Sequence, residues 1–189
     1  DLIGESRILH VGGSFVMPSI DGKPTAELLK KSKDMGIITS LDTVWNGAID
    51  AYATLNPCLE YLDFFLPSID EAKLIAEHES PHDIAQFFLD RGVGTVGLKM
   101  GAEGSYLANR DMAVHVPAFK VDVVDTSGAG DAWVAGFLAG ICKEMDIEQA
   151  AILGSAMGAL CCTAIGTTAG LRNMDETVEF MNNAEILEI

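Results

Sequence analysis

A single carboxylate stands among small residues in DTSGAGDAWVAGFLAG, residues 125–140. Gly128, Ala129 and Gly130 precede Asp131, and Ala132, Ala135, Gly136, Ala139 and Gly140 follow it. Where a helix begins on such residues, backbone N–H groups can approach an anion closely, and the helix dipole adds about half a positive charge. The result is an anion hole suited to a phosphoryl group in transfer. Asp131, in the first helical turn, could accept the proton of an attacking hydroxyl, because phosphoryl transfer needs its nucleophile oriented more than pre-deprotonated. The same residues have a plainer reading: an acid stabilising a helix N-terminus, with the small side chains serving only packing.

Other motifs carry less. GVGTVG, residues 92–97, matches GxGxxG, but the dinucleotide fingerprint needs a strand before it and a helix after it. Here the order is reversed, so the segment reads as a helix stop, and a dinucleotide-dependent oxidoreductase rests on nothing else. No glycine-rich segment ends in Gly-Lys followed by Ser or Thr, so a Walker A loop is absent. Cys58, Cys142, Cys161 and Cys162 lack metal spacing; Cys161 and Cys162 read as small core residues, and the usage fits a reducing cytosol. His10 and His115 read as satisfied or exposed strand residues, and Trp45 and Trp133 as packing anchors.

The elements that must position these groups alternate between short apolar runs and longer amphipathic ones. Strands are expected at 7–13, 37–42 and 62–68, the last stopped by Pro67, and helices at 25–36, 68–78 and 80–92. Ser68 and Glu71 have capping-box spacing, and Pro81 suits a first helical turn. TVGLKMG and SYLANRD read as strands around a glycine turn, with MAVHVPA a third. Val121 to Val124 reads as a strand end before the glycines, and helices follow near 129–144, 147–165 and 175–183. The order β-α-β-α-β-α-α-β-β-β-α-α predicts an α/β fold with a mostly parallel sheet and ligands at the strands' carboxyl ends.

Composition narrows the function class. The apolar share of 49% suffices for a core, and the net charge of −16 repels nucleic-acid backbones and anionic membranes. An anionic substrate must therefore be held by local dipoles or a metal. The uncharged run from Ala150 to Gly170 is long enough to span a membrane, but it is rich in Ala, Gly, Ser and Thr and lacks basic and aromatic anchors. It reads as a buried helix followed by a loop.

Taken whole, 125–140 resembles the C-terminal signature of the ribokinase-like, or PfkB, carbohydrate kinases. The resemblance implies a three-layer α/β/α sandwich in which Asp131 is the catalytic base and Gly128, Ala129 and Gly130 form the anion hole. LKMGAEGSYL, residues 98–107, is similar to the family's nucleotide-binding strand-turn-strand, which puts Lys99, Gly101 and Gly104 at ATP. Ser155, on the adenine-side helix, would join them. LPSIDEAKLI, residues 66–75, resembles the family's Asn-x-x-Glu segment: Glu71 would order the water shell of Mg2+, while Ser68 stands where asparagine is usual. TAIGTTAG, residues 163–170, with Asp125, lies where many members hold a monovalent cation such as K+.

The resemblance covers residues 1–189 as the nucleotide and catalytic half of one kinase domain, and implies that early strands, a lid and most sugar-contacting residues precede it. HVGGS (10–14) and SLDTVWN (40–46) would border the acceptor cleft, although Asp42 and Asn46 read better as turn and cap residues. The expected activity is ATP-dependent phosphorylation of a sugar or sugar-like hydroxyl in the cytoplasm, without nucleic-acid or membrane partners and with a homodimer left open. A non-catalytic nucleotide- or sugar-binding protein on the same fold is the alternative.

Overall fold

The computed structural model describes residues 2–187. It contains six strands and seven α-helices among those residues: β1 (Ile8–Ser14), α1 (Lys23–Asp34), β2 (Ile38–Thr43), α2 (Ala51–Leu59), β3 (Phe64–Phe65), α3 (Ile69–Ala76), α4 (Pro81–Leu89), β4 (Thr95–Lys99), β5 (Ser105–Ala108), β6 (Ala113–Val116), α5 (Ala129–Cys142), α6 (Ile147–Cys161) and α7 (Met174–Asn183). The strands are ordered β1 to β6 in one sheet, and β1–β2, β2–β3 and β3–β4 pair in parallel. This is the α/β class with the mostly parallel sheet that the alternation implies. The chain divides into two compact units, Asp1–Leu98 with Ala108–Ala113, and Lys99–Leu107 with Val114–Ile189.

In the first unit, apolar strands and helix faces enclose Leu29, Leu41, Leu55, Leu59, Phe65, Ile84 and Phe88, each at most 1% exposed. Each such side chain contributes about 1.5–3 kcal/mol by leaving water. Phe65 and Phe88 meet edge-on with centroids 4.7 Å apart. The capping box is present in both directions: Ser68 accepts from the Glu71 N–H, and Glu71 accepts from the Ser68 N–H. Ser80 caps α4, with Pro81 in its first turn. The 62–68 strand shrinks to two residues, because Pro67 has no N–H to extend a ladder. Gly92, with φ of 98°, ends α4 ahead of β4; the GVGTVG segment is thus the helix stop that its order implies.

In the second unit, α5 and α6 pack through their small residues. A Cβ on Gly136 would lie 2.9 Å from Gly154 Cα, and one on Gly140 would lie 2.8 Å from Ala150 Cα. The small residues after Asp131 therefore allow close helix approach. Trp133 stacks on Phe137, with ring planes 9° apart. Helix α6 stops at Cys161, short of the expected 165, because the chain folds back: Thr163 N–H donates to Leu160 O, and Gly170 presses on that same carbonyl. No helix among the described residues is long and apolar enough to cross a membrane.

Three local expectations are corrected. Residues 121–124 form no strand; Val123 and Val124 are exposed, and Val124 N–H donates to Cys162 O beyond α6 instead of to a strand neighbour. Trp45 is 45% exposed and anchors no core, whereas Trp133 is buried. Cys161 is fully buried, but Cys162 is only half-buried.

Candidate active site

The start of α5 is built by backbone geometry. Gly128 caps the helix at φ 79°, a left-handed conformation that favours glycine. Space also demands glycine there, because a Cβ would stand 2.8 Å from Thr167 Cβ. Ala129 N–H donates to Thr126 O, and the helical ladder opens with Ala132 N–H to Gly128 O. The N–H groups of Gly130 and Asp131 fall between these two bonds and take no backbone carbonyl, as the first turn of a helix dictates. Of the expected hole, Gly128 supplies the turn and an N–H that takes no backbone carbonyl, Ala129's amide is spent within the turn, and the Gly130 and Asp131 amides stay uncommitted beside the exposed Asp131 side chain.

Asp125 ties this turn to the loop after α6. Its carboxylate accepts from Ser127 N–H and from Gly166 N–H, each at 2.9 Å. Those two amides hold its carboxyl below the usual carboxylate range. Asp125 thereby closes the loop after α6 onto the turn before α5.

Lys99, at the end of β4, reaches the same helix start. A Cβ built on Gly130 would lie 3.4 Å from its Nζ. A lysine ammonium and uncommitted amides thus share one helix N-terminus, the kind of place where anions bind. The turn after Lys99 separates two glycines of unlike purpose. Gly101 has φ of 61° and open space where a Cβ would go. Gly104 is buried, with φ of 84°, and a Cβ there would collide with Val116 O and the Pro117 backbone. Gly104 is thus required as glycine by packing. Ser155 is 6% exposed, and its hydroxyl donates to Pro117 O at 2.9 Å, an internal brace.

In the first unit, Glu71 is a hub. Its carboxylate accepts from Thr43 Oγ1 at 2.8 Å, Trp45 N–H at 3.0 Å and Ser68 N–H at 3.2 Å. It pins the carboxyl end of β2 and the next loop to the start of α3. Three donors on one carboxylate leave room for about one more partner. Among the described residues, no three His, Cys, Asp or Glu side chains gather as a metal cluster. This donor set suits Mg2+ held by phosphates and waters, with Glu71 reaching one water, better than a cage of protein ligands. Asp42 is buried at the end of β2, where its carboxylate accepts from Thr43 N–H. Asn46 binds Phe15 O and Ala48 N–H, the turn role expected of it. His10 meets Ser40 Oγ, and His115 meets Glu103 O.

Thr43 and Thr167 escaped the sequence reading. No local spacing marks them, since Thr43 meets Glu71 across 28 residues and Thr167 meets Gly128 across a helix pair.

Comparison with known proteins bears on this arrangement. The family model described as pfkB family carbohydrate kinase matches residues 1–174. The chain is 30% identical to a 2-dehydro-3-deoxygluconokinase of Bacillus subtilis over 181 residues, covering 92% of this chain and 56% of that protein. It is 31% identical to a ribokinase of Staphylococcus aureus over 140 residues, 71% of this chain and 46% of that one. A ribokinase structure from Thermotoga maritima superposes with a TM-score of 0.81 at 27% identity, over 96% of this chain and 59% of its own. A putative ribokinase II from E. coli, in complex with ATP and Mg2+, gives 0.82 at 25% identity, over 96% and 60%. The chain thus spans about half to three-fifths of the length of these relatives.

Proposed function

The chain belongs to the pfkB family of carbohydrate kinases, and from that premise we propose that it carries the nucleotide and catalytic half of an enzyme that phosphorylates a sugar or sugar-like hydroxyl with ATP. The observation that carries this reading is the meeting of three features in one unit: an exposed Asp131, the uncommitted amides of Gly130 and Asp131, and the Lys99 ammonium beside Gly130. Relatives named for 2-dehydro-3-deoxygluconate, ribose and fructose support a sugar or sugar acid as acceptor.

In the proposed reaction, Asp131 orients the acceptor hydroxyl and takes its proton as the new P–O bond forms. The bond from the γ-phosphorus to the bridging oxygen breaks, leaving ADP. The Gly130 and Asp131 amides, fixed by the helix, oppose the charge on the equatorial oxygens. Lys99 brings its ammonium to the same helix start and helps hold the nucleotide phosphates, next to the open backbone at Gly101. Glu71 holds the β2 end and would hold one water of a Mg2+ ion, whose chemistry would be to neutralise phosphate charge.

The exposed acid beside the uncommitted amides of the helix start favours the kinase over a non-catalytic binding protein on the same fold. The test is ATP consumption by the whole protein across a panel of sugars and sugar acids. Sugar-dependent ADP release supports the reading, and ATP binding without turnover on any acceptor contradicts it.

A further inference from the structure

Two loops flank the helix start that carries Asp131, and one buried side chain touches both. Cys161, the last residue of α6, is fully buried. Its Sγ lies 3.2 Å from Thr167 O and 3.5 Å from Ser127 O. Ser127 is the residue before Gly128, and Thr167 is the residue against which Gly128 is pressed. Asp125 joins the same two loops through Ser127 N–H and Gly166 N–H. The loops are thus clamped twice: a carboxylate takes their amides, and a thiol meets their carbonyls.

A thiol has a single, weak donor proton, shared here between two acceptors. Burial pushes the Cys161 thiol up, and charge on Cys162, Asp125 and Asp131 adds to the push. The sulfur therefore keeps its proton at neutral pH and remains a donor. The neighbouring Cys162 side chain makes no such bridge, although its carbonyl accepts from Val124 and Asp125 N–H.

We propose that Cys161 is a positioning residue: its S–H, shared between the Ser127 and Thr167 carbonyls, fixes residues 125–128 against 163–170 and so holds the Gly130 and Asp131 amides in place for the transferring phosphoryl group. This rests on the phosphoryl-transfer reading above. The rival account is volume alone, in which sulfur merely fills the end of α6. The two accounts part at serine, which is slightly smaller than cysteine but donates a stronger hydrogen bond.

The test compares the whole wild-type protein with Cys161→Ala, Cys161→Ser and Cys162→Ala. Two quantities are read: kcat and KM for ATP, and amide hydrogen exchange over 125–129 and 163–168. Positioning predicts that Cys161→Ala lowers kcat by about tenfold with KM nearly unchanged, and speeds exchange in both loops. Cys161→Ser and Cys162→Ala should stay within about twofold of wild type in both readouts. The proposal is overturned if Ala and Ser behave alike, or if Ala matches wild type. If wild type itself consumes no ATP with any acceptor, the phosphoryl-transfer reading has failed, and the exchange contrast between Ala and Ser still decides whether the thiol holds the loops.

Discussion

The Lys99 ammonium lies against the backbone of Gly130: a Cβ placed on that glycine would stand 3.4 Å from Nζ. The lysine comes from the end of β4 and the glycine from the first turn of α5, so both residues meet in one small patch. Gly130 is in helical conformation, so its lack of a side chain serves approach to the patch rather than backbone freedom.

Gly130→Ala should therefore separate stability from function. Alanine is the better helix former by about 0.5–1 kcal/mol, and the flexible Lys99 tip can shift by a few tenths of an ångström. The melting temperature should hold or rise. Turnover should fall by about tenfold, because the methyl group crowds the amides and moves the cation. Thermal melts beside ATP-dependent kinetics check both halves.

The two glycines after Lys99 should respond differently to the same change. Gly104→Ala meets immovable backbone at Val116 and Pro117 and should cost about 3–5 kcal/mol. Gly101→Ala meets open space and should cost only the left-handed backbone penalty, about 1–2 kcal/mol. Denaturant unfolding of the two variants measures the gap, and equal losses would contradict the packing role of Gly104.

Glu71→Ala leaves the buried Thr43 hydroxyl and the Trp45 and Ser68 amides without their acceptor. The expected loss is about 1–3 kcal/mol. Ser68→Ala removes one helix cap and should cost about 1 kcal/mol. Because Trp45 is exposed and Trp133 buried, the change in tryptophan emission for Glu71→Ala should come from an already exposed indole and be small. Melting curves followed by fluorescence and by far-ultraviolet circular dichroism test the ranking.

Asp125 gives a pH dependence with a definite sign. Its carboxyl is held below the usual range by the Gly166 and Ser127 amides. Its contribution is therefore complete above the unfolded value of about 3.9 and is lost as pH falls through the lower folded value. The stability gap between wild type and Asp125→Asn should stay flat from about pH 5 to pH 7 and close progressively below about pH 4. Amide exchange at Gly166 should accelerate over the same acid range beyond its intrinsic pH dependence; a gap that widens toward acid would contradict the assignment.

Much of this was legible where the signal is local. The capping box at Ser68 and Glu71 rests on a three-residue spacing, and the helix before β4 disqualifies GVGTVG as a dinucleotide turn. The small residues of α5 announce a close neighbour, and Gly136 and Gly140 meet α6. What was not legible depends on distant partners. Val121 to Val124 has strand composition, yet its bonds go to Cys162. Ser155 faces Pro117 across 38 residues, and Cys161 faces Ser127 across 34. No periodicity encodes which carbonyl a hydroxyl or thiol will find. Glu71 was marked as a metal-ordering acid, but its three internal donors appear only when β2 and α3 are brought together.

The central claim is that Asp131 takes the proton of an acceptor hydroxyl while the amides beside it hold the phosphoryl group. Its most direct measurement pairs nucleotide binding with turnover for Asp131→Asn. Asparagine keeps the shape and the helix start but is not a base. ATP affinity should remain within about threefold of wild type while sugar-dependent ADP release falls by about a thousandfold or more. Near-normal turnover in Asp131→Asn, with ATP still bound, would contradict the account.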